Sequence, residues 1–239
     1  MSLYRCEGIV LRTYKLGEAD RIISVLTNTH GKVRGVAKGV RKTKSRIGAR
    51  LEPTSYVALL LYEGRGDLDT ISQADSLEQY KTIREDLDRI THATAMLEAA
   101  DIVSIEGQVD QRLFEMLLGA LRQLNRQDSP LLVPAFFWKL LAHEGYEPSL
   151  DECVRCGSPD DLVGFDPAAG GVTCKACTIG SRMSYDAHQL MREILGGRLS
   201  RALQEPMSAA THEVERLATI SLEHHLERRL KAGRLLDRG

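Results

Sequence analysis

The sequence predicts a mixed architecture: a five-stranded β-barrel of the OB type, followed by a mainly α-helical domain that carries an inserted four-cysteine zinc-binding segment. Three observations lead there. Short β-rich runs divided by turn residues fill roughly the first 75 positions. From Ser76 onward apolar residues recur at intervals of three and four, the period of a helix with one buried face. Two C-x-x-C pairs then stand 17 residues apart, between Cys156 and Cys174. The expected division is residues 1–78 for the barrel, 79–150 and 181–239 for the helical domain, and 151–180 for the inserted segment.

The strands follow in order. Leu3 to Tyr14 (LYRCEGIVLRTY) is rich in β-branched and aromatic residues, and Arg21 to Thr27 (RIISVLT) is apolar without helical spacing. After the turn tetrapeptide Asn28-Thr29-His30-Gly31 comes KVRGVAKGV, in which Val33, Val36 and Val40 alternate with glycines and bases. Ser55 to Tyr62 and Leu68 to Ala74 flank Glu63-Gly64-Arg65-Gly66-Asp67, a glycine-containing hairpin connection. The helical pattern begins with Leu77, Tyr80, Ile83, Leu87 and Ile90 and continues through Ala93, Met96, Leu97 and Ala100. Further helices are predicted over Val109–Leu124, over Leu131–Tyr146 with Pro134 in the first turn, over Ala187–Leu195, and from about Ser208 to Leu230. Phe136, Phe137 and Trp138 have the helical spacing of a core cluster.

Charge is the next guide. The 239 residues carry 32 Lys and Arg against 33 Asp and Glu, a net charge of −1 that argues for no polyanionic partner. By segment the balance differs: residues 1–80 hold 13 basic and 9 acidic side chains, and residues 81–150 hold 7 and 11. The excess of bases is concentrated between the third and fourth strands. Lys32, Arg34, Lys38, Arg41, Lys42, Lys44, Arg46 and Arg50 lie in one nineteen-residue window without an acid. A like-charge run is often only a solvated loop. Here glycines at 35, 39 and 48 permit close backbone approach, and a concentrated positive field on a barrel strand suits phosphate, so these eight are the candidate nucleic-acid contacts. The only aromatics on the barrel are Tyr4, Tyr14, Tyr56 and Tyr62, so phosphate contact with little base selectivity is expected.

Five cysteines are few for a disulfide scaffold. Cys153-Val-Arg-Cys156 and Cys174-Lys-Ala-Cys177 match two zinc knuckles, and Gly157 supplies the tight turn after the first pair. Two disulfides or a redox pair are the competing readings, but one redox pair leaves the second unexplained. Four protein ligands close the coordination sphere, so one structural Zn²⁺ per chain is expected, stabilising a Gly/Asp/Pro-rich segment that has little to pack. Cys6 reads as a small buried side chain in a strand.

Phosphate-binding, dinucleotide and nucleophile-elbow motifs are absent, and the carboxylate pairs Asp67/Asp69 and Asp86/Asp88 fall at a turn and on a helix surface, so no catalytic residues and no enzymatic activity are expected. Without a long apolar run or a secretory leader, a cytoplasmic protein with no membrane partner is expected.

The order of these features resembles one family. The opening block GIVLRTYKLGEADRIISVLTNTHGKVRGVAKGVRK, the segment LEPTSYVALLLYEGRGDLDTISQADSL, a helical domain, CVRC…CKAC within it and the closing HHLERRLKAGRLL are similar to the bacterial RecO family of recombination mediators. The resemblance implies a nucleoid-associated, non-enzymatic protein that binds single- and double-stranded DNA and anneals complementary strands. It implies RecR and the single-strand binding protein SSB as partners, and help in loading RecA onto SSB-coated DNA. It places the DNA-binding surface on Lys38, Arg41, Lys42, Lys44 and Arg46, less securely on Lys32, Arg34 and Arg50, and zinc on Cys153, Cys156, Cys174 and Cys177. An RNA- or translation-associated OB protein shares the barrel and the bases and stands as the alternative.

Overall fold

The computed structural model describes residues 2–41, 47–179 and 181–231. The chain forms two compact units, residues 1–126 and 127–239.

In the first unit β1 (Leu3–Leu16), β2 (Asp20–Thr27), β3 (Gly31–Ala37), β4 (Tyr56–Tyr62) and β5 (Asp69–Glu78) close into a barrel in the order β1-β2-β3-β5-β4. All pairings are antiparallel except β3 with β5. Closure removes every sheet edge, and Val10, Ile23, Val25, Ala37, Val57, Leu59, Leu61 and Ile71 fill the interior. A bulge between Val10 and Arg12 re-aims β1, so that Ile9, Val10 and Leu11 are all buried although strict alternation would expose one face. A single 3₁₀ turn over Gly48–Leu51 sets Leu51 into the barrel core.

The predicted continuous helix from Ser76 is not formed. Strand β5 runs to Glu78, a one-turn helix α1 (Lys81–Arg84) follows, and α2 (Leu87–Val103) starts afresh where the Asp86 carboxylate caps the Arg89 N–H at 3.0 Å. Leu77, Leu87 and Ile90, assigned to a buried stripe by spacing, are exposed. Helix α3 (Gln111–Arg126) follows its pattern: Leu113, Phe114, Leu117, Leu118, Leu121 and Leu124 are all buried. Arg89 donates to the Leu124 carbonyl and so satisfies the end of α3 from α2.

In the second unit α4 (Leu132–His143), α5 (Tyr185–Leu195) and α7 (Ala209–His225) pack together, with a one-turn α6 (Leu199–Ala202). Phe136, Phe137 and Trp138 are core residues, as their spacing predicts. A reciprocal Ser208–Thr211 capping box opens α7, and Glu213 of α7 accepts from both the N–H and the hydroxyl of Ser184, the N-cap of α5. The last helix ends at His225, short of the predicted Leu230, where Glu227 takes a positive φ of 51°. Between α4 and α5 lies a hairpin absent from the sequence reading, β6 (Leu162–Asp166) with β7 (Gly171–Cys174). It is seated by Phe165, edge-on to Trp138 with centroids 5.6 Å apart, and the segment that leads into it is held where the Leu150 carbonyl lies 2.7 Å from His188 Nε2.

Candidate nucleic-acid interface and metal centre

The five described bases of the window, Lys32, Arg34, Lys38, Arg41 and Arg50, differ in their surroundings. Lys32 is turned into the first unit: its Nζ donates to the Asp101 carbonyl at 2.6 Å and lies 3.6 Å from the carboxylate, with both side chains only 14 % exposed. Asp101, at the end of α2, also meets Arg12 Nε at 3.0 Å and accepts from the Ser24 hydroxyl at 3.3 Å. Arg34 Nε sits 2.7 Å from the Glu106 carboxylate. The segment after α2 lies along the start of β3, its Gly107 N–H bonded to the Lys32 carbonyl at 3.1 Å. There Gly31, at φ +66°, is required, because a Cβ would come 2.2 Å from the Gln108 carbonyl oxygen. Arg50 donates to the Ala74 carbonyl at 2.8 Å and to Asp75 at 3.0 Å. These three cations are engaged by acids that lie outside the window.

The other end of β3 differs. Lys38 and Arg41 are exposed and, among the described residues, face no carboxylate. Backbone and side-chain bonds fix them against the tip of the β1–β2 hairpin. The Arg41 N–H donates to the Ala19 carbonyl and its Nη1 to the Gly17 carbonyl, both at 3.0 Å, and the Gly39 N–H donates to Asp20 at 2.7 Å. Exposed Lys15 lies on the same hairpin, a cation that sequence reasoning passed over because it stands outside the dense window. Lys42, Lys44 and Arg46, which continue the run, lie outside the described residues. The barrel tyrosines divide as well: Tyr56 is buried and bonded to Glu7, and Tyr4 is bonded to Asp69 and stacked on His30, whereas Tyr14 and Tyr62 are exposed.

A second ionic link ties the end of β5 to α3. Glu78 receives Arg122 Nε at 2.9 Å, and the guanidinium holds that carboxyl below its ordinary pKa against an opposing contribution from burial.

In the second unit the two C-x-x-C turns converge. The four sulfurs lie within 4.8 Å of one another, none is in a disulfide, and Cys156 Sγ and Cys174 Sγ are 3.7 Å apart. Four sulfurs about 2.3 Å from a tetrahedral metal would be separated by about 3.8 Å, so the cluster has the size of a metal site. Local hydrogen bonds build each knuckle. The Gly157 N–H, at φ +75°, returns to the Cys153 carbonyl at 2.8 Å, and the Cys177 and Thr178 N–H groups both return to the Cys174 carbonyl, at 3.0 and 2.9 Å. The sulfurs share protons unequally. Backbone N–H donors, first that of Cys174, pull the Cys153 thiol down to about 6, while hydrogen bonds to Cys156 and Cys174 push Cys177 up to about 12. A cation replacing those protons would meet an all-sulfur donor set, and four protein ligands would leave no position for substrate.

Among the described residues no helix is long and apolar enough to cross a membrane. Comparison with known proteins agrees along the whole length. The family model for the recombination protein O N terminal matches residues 1–80, and that for the recombination protein O C terminal matches residues 84–234. Proteins named DNA repair protein RecO are 46 % identical in Frankia casuarinae and 42 % identical in Thermobifida fusca, each alignment covering 100 % of both chains. The relative of that name in Cutibacterium acnes is 37 % identical, again over 100 % of both. A closed five-stranded barrel, a helical portion with a four-cysteine cluster, and family matches over nearly every residue lead to one conclusion: this chain belongs to the RecO family of DNA repair proteins.

Proposed function

We propose that this protein is a non-enzymatic recombination mediator, cytoplasmic and nucleoid-associated, that binds single- and double-stranded DNA and promotes annealing of complementary strands. With RecR, it helps RecA load onto DNA coated by SSB. The observation that carries the reading is the free basic end of β3: Lys38 and Arg41, fixed on a rigid barrel tip and followed in sequence by Lys42, Lys44 and Arg46. Cations in that position neutralise phosphates on two strands at once and reduce their mutual repulsion. Watson–Crick pairing then supplies the sequence specificity, and the protein needs no base readout. Lys32, Arg34 and Arg50 remain part of the proposed basic surface, with their share of its field reduced by the acids that hold them.

The four cysteines hold one structural Zn²⁺ on this reading, through Cys153, Cys156, Cys174 and Cys177. The ion would fix the β6–β7 hairpin and supply folding free energy to a segment with few apolar residues. The deciding experiment is annealing of complementary oligonucleotides, naked and SSB-coated, with the pure protein. Acceleration of both, abolished by Lys38→Glu with Arg41→Glu, supports the reading. Binding without acceleration would reduce the protein to a passive binder, and metal-dependent cleavage of the strands would reveal an enzyme.

A further inference from the structure

One residue row runs across the outside of the barrel. In the Cα register Tyr14 faces Ile22, Ile22 faces Val36, Val36 faces Thr70 and Thr70 faces Tyr62. The adjacent row, Thr13–Ile23–Gly35, turns Ile23 and Gly35 inward and buries them, as strand alternation requires. Ile22, Val36 and Thr70 in the outer row are half-buried, and a tyrosine closes each end, Tyr14 at 48 % exposure and Tyr62 at 41 %. Among the described residues the Tyr14 ring has neither an aromatic nor a hydrogen-bonding partner.

Charge separates the two tyrosines. Tyr62 leads into a hairpin with exposed Glu63, Arg65 and Asp67, on which acids outnumber bases. Tyr14 precedes Lys15 on the hairpin tip to which Arg41 is bonded, and Lys38 stands beside the same tip. The acids there are Glu18, which is exposed, and Asp20, which is half-buried and whose carboxylate accepts from the Gly39 N–H.

We propose, building on the DNA-binding reading above, that Tyr14 is a base-stacking residue: its ring, extended by Ile22 and Val36, receives the face of a nucleobase of single-stranded DNA while Lys38 and Arg41 hold the flanking phosphates. Neighbouring strands are about 4.8 Å apart, so three side chains in the row offer an apolar strip about 10 Å long, enough for a base. The hydrogen bonds between hairpin tip and turn keep ring and cations in one rigid piece, so a base and its phosphates meet them together. Bases in a duplex already have both faces covered by their neighbours. The row therefore gives the protein a preference for single strands that phosphate contact alone does not supply.

The test measures affinity of the full-length protein for fluorescein-labelled oligothymidylate, for a duplex of equal length, and for an abasic oligomer of the same charge. Tyr14→Ala should weaken oligothymidylate binding about five- to tenfold, at the low end of a stacking contact because the residue is only 48 % exposed. Binding to duplex and to abasic oligomer should change less than twofold, Tyr14→Phe should stay within twofold of wild type, and Tyr62→Ala should have no effect. Equal loss on all three probes would mean that Tyr14 merely supports the barrel, and no loss on oligothymidylate would mean that no base sits there; either result overturns the proposal. Lys38→Glu with Arg41→Glu separates the two readings. If that variant loses binding while Tyr14→Ala does not, only the stacking assignment falls, and if it binds all probes normally, the DNA site itself is elsewhere.

Discussion

Titrating DNA affinity against salt distinguishes the cations the fold leaves free from those it has already paired. For single strands each neutralised phosphate contributes about 0.7 to the slope of log K against log salt. If only Lys38, Arg41, Lys42, Lys44 and Arg46 touch phosphate, the slope is about −3.5, and affinity falls about 130-fold between 50 and 200 mM salt. If all eight bases of the window take part, the slope is about −5.6 and the fall about 2,300-fold. Substitution sharpens the contrast. Lys38→Ala with Arg41→Ala should remove about 1.4 from the slope and cost at most about 1 kcal/mol, since both side chains are exposed and the only bond lost is that from Arg41 Nη1 to the Gly17 carbonyl among the described residues. Lys32→Ala should leave the slope unchanged. It removes a 2.6 Å bond to the Asp101 carbonyl and the cation of a pair in which each side chain is 14 % exposed, at a cost of about 2 kcal/mol, which lowers Tm by about 4–8 °C. Fluorescence anisotropy over a salt series and a thermal melt give both readouts. A wild-type slope near −5.6, or a slope that drops in a stably folded Lys32→Ala variant, would refute the division.

Other expectations follow from the same geometry. Protein purified without added zinc should contain about one metal atom per chain by elemental analysis, and stripping it, or Cys174→Ser, should unfold the second unit, because a four-sulfur site contributes on the order of 10 kcal/mol. Trp138→Ala should cost about 3–5 kcal/mol, since the ring is buried against Phe165; a denaturation midpoint equal to that of wild type would contradict this packing. Glu78 titrates below its ordinary value in the folded state, so its contribution is present above the unfolded pKa, about 4.3, and disappears as pH falls through the folded one. Wild type and Glu78→Gln should therefore differ at neutral pH, by at most about 1 kcal/mol for so exposed a pair, and converge in acid denaturation profiles once pH has fallen through the lowered folded pKa.

The barrel and the metal cluster were legible because their signals are local. β-branched runs between turn residues need no distant partner to be recognised, and a C-x-x-C turn places two sulfurs together through hydrogen bonds within five residues, as Gly157 returning to Cys153 does. The boundary between β5 and the helices was misread for the opposite reason. Leu77 and Tyr80 fit a helical period, but pairing of β5 with β4 as far as Glu78 outweighs that weak local preference, and Asp86 supplies a new start.

What the sequence determined by itself is an inventory: a closed barrel, helices, four cysteines able to share a metal, and a stretch of eight bases without an acid. Which of the described bases are free was decided only by the tertiary structure. Asp101 and Glu106 lie about 70 residues beyond Lys32 and Arg34, too far for any spacing rule, and they reach β3 because α2 returns along the barrel. The sheet register likewise carried Tyr14 to the outside, on the hairpin to whose tip Arg41 is bonded, while it buried Tyr56, a distinction that depends on strand pairing and not on residue type. Charge is a property of residues, but an available charge is a property of the fold, because a neighbouring carboxylate can occupy a cation before phosphate does.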